Sequence, residues 1–223
     1  SLAAIASLPN LTSLRMSGCA LTDISALSSL TTLTTLDLSG NVLTDISALS
    51  SLTALTEVNL SDNTIVSISS LAAAAELAVL DISDNAVTSL TPLSNKTTLR
   101  QLDAAQNQIA DLTPLATCTA LEELDVSNNQ VADLTPVASL TALSVLSADY
   151  NALTTLPDFS AAQSLTRISV SNNTIPDVSG LTGLPILNYV NIDYNQVSDL
   201  TPLQSCPNIV QIDAFSNPLT DVS

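Results

Sequence analysis

Histidine and tryptophan are absent from this chain. The lack of histidine alone excludes imidazole general bases, Ser-His-Asp and Cys-His nucleophile systems, and histidine-ligated metals. Only four glycines are present, and no glycine-rich phosphate loop can be assembled from them. Basic residues are equally scarce. Arg15, Lys96, Arg100 and Arg167 stand against 21 acidic residues, giving a formal charge of -17. Such a surface repels a phosphate backbone, so nucleic acid is not an expected partner; a partner with a basic patch and simple solubility are the two readings that remain. Long apolar runs are missing too. The longest, Leu71 to Leu80, is interrupted by Glu76 and falls well short of the ~20 residues a membrane-spanning helix needs, so no membrane insertion is expected.

Aromatic residues number five, yet 46% of the chain is hydrophobic, so any core must be made from Leu, Ile, Val and Ala. Those residues recur with a fixed period. Units of 22 residues start at Leu11, Leu33, Leu55, Leu77, Leu99, Leu121, Leu143, Leu165, Leu187 and Ile209, without insertion or deletion. Each unit reads L-x-x-L-x-L-x-x-N-x-L-x-D-L-x-x-L-x-x-L-x-x. Its first part alternates apolar and polar residues as a strand does, and the remainder is spaced differently. Leu36 and Leu38, followed by Val58 and Leu60, Leu80 and Ile82, then Leu102 and Ala104, form inward columns that one unit cannot bury by itself. Stacked neighbours can, and the expected architecture is therefore a solenoid. The expected organisation is one array: a partial repeat over 1–10, nine full repeats over 11–208 and a partial repeat over 209–223.

A ladder of Asn41, Asn63, Asn85, Asn107, Asn129, Asn151, Asn173, Asn195 and Asn217 marks where each strand bends into its return, with Cys19 in the first unit. A side-chain amide offers donors and an acceptor, so it can satisfy backbone groups that the bend would otherwise bury unpaired. Beyond the bend stand Asp23, Asp45, Asp111, Asp133, Asp177, Asp199 and Asp221, followed by Ser or Thr and often Pro. This is helix-start chemistry, and each return is expected to be a short 3₁₀ segment or a single helical turn.

The run over 129–143, Asn-Gln-Val-Ala-Asp-Leu-Thr-Pro-Val-Ala-Ser-Leu-Thr-Ala-Leu, resembles the repeats of bacterial internalins and of protein-phosphatase regulators built from 22-residue units. The resemblance covers essentially the whole chain. It implies a leucine-rich-repeat solenoid of the α/β class, a curved right-handed coil with parallel strands on its concave face and 3₁₀ segments and turns on its convex face. It also implies use in clasping a protein ligand. Those families usually carry dedicated caps, whereas here Leu2, Ile5 and Leu8 match Ile24, Leu27 and Leu30 of a return and the chain ends after Val222. The expectation is that the array forms part of a longer chain or larger assembly.

Strand residues between the inward columns face the concave side, where a partner would be met. Asp81, Asp103 and Asp125 occupy one outward column in three consecutive units and would stack ~4.8 Å apart. A cation or basic partner would relieve their repulsion, while ordinary hydrogen bonding in a solvated groove is the alternative. Tyr150, Tyr189, Tyr194 and Phe215 fall on or beside outward strand positions in the last four units, with Arg167 among them, and only Phe159 falls in a core column. Aromatic residues and arginine anchor interfaces out of proportion to their number. The expected contact surface is therefore this carboxyl-terminal half, with the column Val145, Arg167, Tyr189 and Gln211 along its floor.

No enzyme is expected. The carboxylate pairs Glu122 with Glu123 and Asp149 with Asp193 lie on an open groove that cannot desolvate one carboxyl. Cys118 and Cys206 share the apolar repeat position of Leu30 and Leu140 and are too far apart for a disulfide. No metal and no cofactor are implied. The expected function is non-enzymatic binding of a macromolecular partner through the concave face; the alternative is a structural spacer or assembly segment. Three unpaired thiols favour a reducing interior, and sequons at Asn10, Asn59, Asn95 and Asn172 do not establish secretion, so cell surface and intracellular scaffold both stay open.

Overall fold

The computed structural model describes residues 2–220, so Asp221 of the acidic turn column and Val222 lie outside the described residues. Ten three-residue strands follow the chain in order. They are β1 (Ser13–Arg15), β2 (Thr35–Asp37), β3 (Glu57–Asn59), β4 (Val79–Asp81), β5 (Gln101–Asp103), β6 (Glu123–Asp125), β7 (Val145–Ser147), β8 (Arg167–Ser169), β9 (Tyr189–Asn191) and β10 (Gln211–Asp213). They form a single sheet in strict sequence order. Every pairing is parallel and joins residues 22 apart, such as Leu36 to Val58 and Leu102 to Leu124. The chain is thus a leucine-rich-repeat solenoid, with the sheet on its concave face and the returns on its convex face.

The middle residue of each strand points inward and its neighbours outward, because side chains alternate across a pleated backbone. Leu36, Leu80, Leu102, Leu146 and Ile168 are fully buried in one continuous core shared with the return leucines, among them Leu27, Leu49, Leu93 and Leu115. Each fully buried Leu or Ile contributes roughly 1.5–3 kcal/mol over exposure, and a unit buries its inward face only by stacking on its neighbours. Single units therefore have no independent reason to fold.

The returns over Ser25–Ser29, Ser47–Ser51, Ser69–Leu71, Thr91–Leu93, Thr113–Thr117, Ser179–Leu181 and Thr201–Ser205 are 3₁₀ segments, and Thr135–Ala138 closes one α-helical turn, α2 in chain order after α1 (Leu2–Ile5). The acidic turn column works locally. Asp23 accepts the Ser25 amide at 2.8 Å and Asp111 the Thr113 amide at 2.8 Å, so both carboxyls are held below the usual carboxylate range by the residue two positions on.

One return departs from expectation: no helix forms between Leu153 and Ala162. Proline stands one position earlier here, at Pro157, and biases Leu156 towards extended backbone. Phe159 then takes the buried leucine position, and its amide donates to the Gly180 carbonyl of the next unit at 2.9 Å. Gly180 permits this approach, since a Cβ there would meet the Leu156 carbonyl oxygen at 2.9 Å and the Pro157 carbonyl oxygen closer still.

Candidate functional site

The asparagine ladder fixes the edge of the sheet from which the outward side chains project. The Asn173 oxygen accepts the Leu153 amide at 2.9 Å, and its nitrogen lies 3.0–3.1 Å from the carbonyls of Ala148, Val170 and Ser171. Asn63, Asn107 and Asn195 repeat this pattern, each tying three carbonyls to the amide of a residue 20 positions earlier. Asn41, Asn85, Asn129, Asn151 and Asn217 complete the ladder with equivalent bonds. Cys19 has no such reach; its own amide donates to Asn41 at 3.0 Å.

A second column, one residue before the ladder, escaped the sequence reading. Gly18, Gly40, Asp62, Asp84, Gln106, Asn128, Tyr150, Asn172, Tyr194 and Ser216 all have left-handed backbone, with φ between 51 and 64 degrees. The signal was present in the glycine, asparagine and aspartate at six of these positions, residue types that tolerate this region. Tyrosine does so at greater cost, and two of the three tyrosines sit here.

Across the middle of the concave face, Asp81, Asp103 and Asp125 pair strand to strand as expected. They line an open depression of about 310 Å³ with Gln101 and Glu123. Burial raises the Asp103 carboxyl, the Ala105 amide bond at 3.0 Å opposes that rise, and the charges of Asp81, Asp125 and Asp84 add to it. Asp81 and Asp125 instead engage Ser83 and Ser127, so the ordinary hydrogen-bonding alternative accounts for part of the row.

Towards the carboxyl end, Val145, Arg167 and Tyr189 line a second open depression of about 300 Å³, floored by Ser147, Ser169 and Asn191. The Arg167 guanidinium lies 4.5 Å from the centre of the Tyr189 ring, a cation–π contact. The Tyr189 hydroxyl donates to Asp213 at 2.8 Å, and the Gln211 amide reaches both oxygens of that carboxylate at 3.1 Å. Burial and the Asp213 bond both raise the Tyr189 hydroxyl, which keeps it protonated as a donor. Tyr194 and Phe215 meet edge to face with ring centres 5.3 Å apart. Both are exposed, at 51% and 66%, and Tyr150 at 56% stands separately on the left-handed column. Asp149 is not a free acid; Ser169 and the Ser171 amide bind it at 2.6–2.8 Å.

Among the described residues, no group of three or more Cys, Asp or Glu could hold a metal ion. Among the same residues, no helix is long and apolar enough to cross a membrane.

A two-copy leucine-rich repeat family profile matches residues 9–51, 31–73 and 97–139. No curated protein matches the chain by sequence. Among solved structures, an internalin (inlF) from Listeria monocytogenes superposes with a TM-score of 0.95 at 36% identity over 98% of this chain, which spans 64% of that protein. A second internalin (inlC2) from the same species gives 0.70 at 32% identity, covering 90% of this chain and 79% of the other. A plant peptide hormone receptor, solved with its ligand RGF2, gives 0.84 at 25% identity over 96% of this chain and 37% of the receptor.

Proposed function

Since the chain belongs to the leucine-rich repeat proteins and carries internalin-like repeats, a fold that generally serves protein interaction, we propose that it binds a protein partner through the concave face of β7–β10 and performs no catalysis. One observation supports this reading: Arg167 stacks on Tyr189, and the exposed rings of Tyr194 and Phe215 meet edge to face, in and beside β8–β10, while the core of the same units needs none of them. Exposed aromatic rings with few rotatable bonds lose little entropy on contact, and arginine stacked on a ring is already ordered. The receptor solved with a peptide hormone ligand supports a polypeptide as the kind of molecule such a surface takes. The charge of -17 favours a partner with a basic patch, and Asp81, Asp103 and Asp125 extend the surface towards β4.

Affinity capture with the 1–223 chain tests the reading. Proteins retained by the native chain should be lost from a Tyr189→Ala, Tyr194→Ala variant of unchanged secondary structure, and raised salt should weaken capture. Equal retention by both chains would place the contact elsewhere, and no retention by either would favour a spacer segment.

A further inference from the structure

The triplet Asp-Tyr-Asn occurs twice, at 149–151 and 193–195, two units apart, with Ser-Asn-Asn at 171–173 between. Each Tyr adopts left-handed backbone, φ 52 degrees, as does the intervening Asn172 at 55 degrees. These three residues therefore follow one another along the edge of the concave face; they share Tyr194 with the contact surface proposed above and lie outside the Arg167 and Tyr189 depression. We propose, resting on that reading of the face, that this ridge docks a proline-rich segment of the partner in polyproline II conformation, with a basic residue beside the prolines.

Spacing is the first argument. Adjacent strands lie ~4.8 Å apart, so the two tyrosines, two strands apart, are separated by roughly 10 Å. A polyproline II helix rises ~3.1 Å per residue with three residues per turn, so the same face returns every ~9.3 Å. Prolines one turn apart would rest on successive tyrosines. Backbone carbonyls in that helix have no internal partner, and Asn172, whose amide makes only a 3.1 Å bond to the adjacent Ser171 hydroxyl, stands between the rings to donate to one.

Conformation and charge complete the case. A left-handed position is filled elsewhere in the column by glycine, asparagine, aspartate, glutamine or serine, never by another ring, and a large ring there contributes nothing to the core. The Tyr194 ring is braced edge-on by Phe215, which presents a fixed flat surface of the kind that proline rings pack against. Asp149, held by Ser169 and the Ser171 amide, and Asp193, held by the Phe215 amide, still place negative charge beside the two tyrosines, and none of the four basic residues of the chain lies on the ridge, so an arginine or lysine flanking the prolines is favoured over an acid.

The probe is a synthetic peptide of one arginine followed by three Pro-Pro-Ala triplets, titrated into the 1–223 chain and followed by amide chemical shifts. A peptide of equal charge and length with Gly-Ser-Ala triplets is the control. Saturable shifts at Tyr150, Asn172 and Tyr194 are expected, with the control at least about tenfold weaker. Tyr150→Asn should weaken binding about tenfold while raising thermal stability, because asparagine suits the left-handed backbone; a folding defect would move both downward. Glu76→Gln, on an exposed turn remote from the ridge, should leave peptide affinity unchanged. Equal binding of the control, shifts confined to the strand columns, or no binding at millimolar peptide would each overturn the proposal. Those results leave partner capture through β7–β10 standing, whereas capture insensitive to Tyr189 would remove the reading beneath it.

Discussion

Two side chains show how much a single residue can decide in a stacked coil. Asn173 satisfies one amide and approaches three carbonyls, all at a buried bend. Asn173→Ala strips this partner from the Leu153 amide and the Ala148 carbonyl, while the Val170 carbonyl still receives Asn195 and the Ser171 carbonyl the Tyr150 amide; at ~1–3 kcal/mol for each group left unpaired, a loss of about 3 kcal/mol is expected in chemical denaturation. The ladder was legible in the sequence because nine asparagines repeat at one phase and the bend has an evident need for their chemistry. Lys96 was not legible as a core residue. It stands in the apolar column between Ala74 and Cys118, only 3% exposed, and its ammonium donates to the Ala74 carbonyl at 2.6 Å and the Ala72 carbonyl at 3.3 Å with no carboxylate against it. Two small neighbours leave room for its stem, a fact of packing that no periodic pattern announces. Burial lowers the Lys96 amine from its ordinary value. The folded chain thus disfavours the charged form; the penalty is present in full below the folded value and is lifted as pH rises from the folded value towards the unfolded one. Lys96→Met should therefore raise the unfolding free energy at pH 7 by about 1–3 kcal/mol, read from denaturant titration, and this advantage over the native chain should shrink in alkaline buffer.

At the scale of the element, strands and most returns follow from the 22-residue pattern, since alternation places the inward residues and an Asp or Ser two positions ahead accepts the first amide of the 3₁₀ turn, as Asp23, Ser67 and Asp111 do. The return of the unit beginning at Leu143 breaks the rule because one proline is displaced by one residue. That shift is visible in the sequence, but its consequence, a backbone crossing at Gly180, depends on two units at once. Gly180→Ala would drive a methyl group into the carbonyls of Leu156 and Pro157. Backbone atoms cannot step aside as a flexible side chain can, and a loss of about 1–3 kcal/mol in melting experiments is expected. Gly183→Ala is the useful comparison: its Cβ would meet nothing within 4 Å, so its cost would come from left-handed backbone alone.

For the whole molecule, nearest-neighbour stacking makes the sheet one continuous surface, and function becomes a matter of which outward columns differ from the repeat consensus. The outward columns were readable from the period, and the aromatic residues stood out against a chain that has so few. Their pairing was not readable: the Arg167 contact with Tyr189, the Tyr189 bond to Asp213 and the left-handed backbone beneath Tyr150 and Tyr194 depend on side-chain direction and turn geometry that a 22-residue count does not carry. Hydrogen exchange of the chain with and without a captured partner tests the contact surface most directly. Added protection should concentrate on Val145–Ser147, Arg167–Ser169, Tyr189–Asn191 and Gln211–Asp213, with little change on the 3₁₀ returns. Protection on the returns, or on β1–β3 with β7–β10 unchanged, would contradict it.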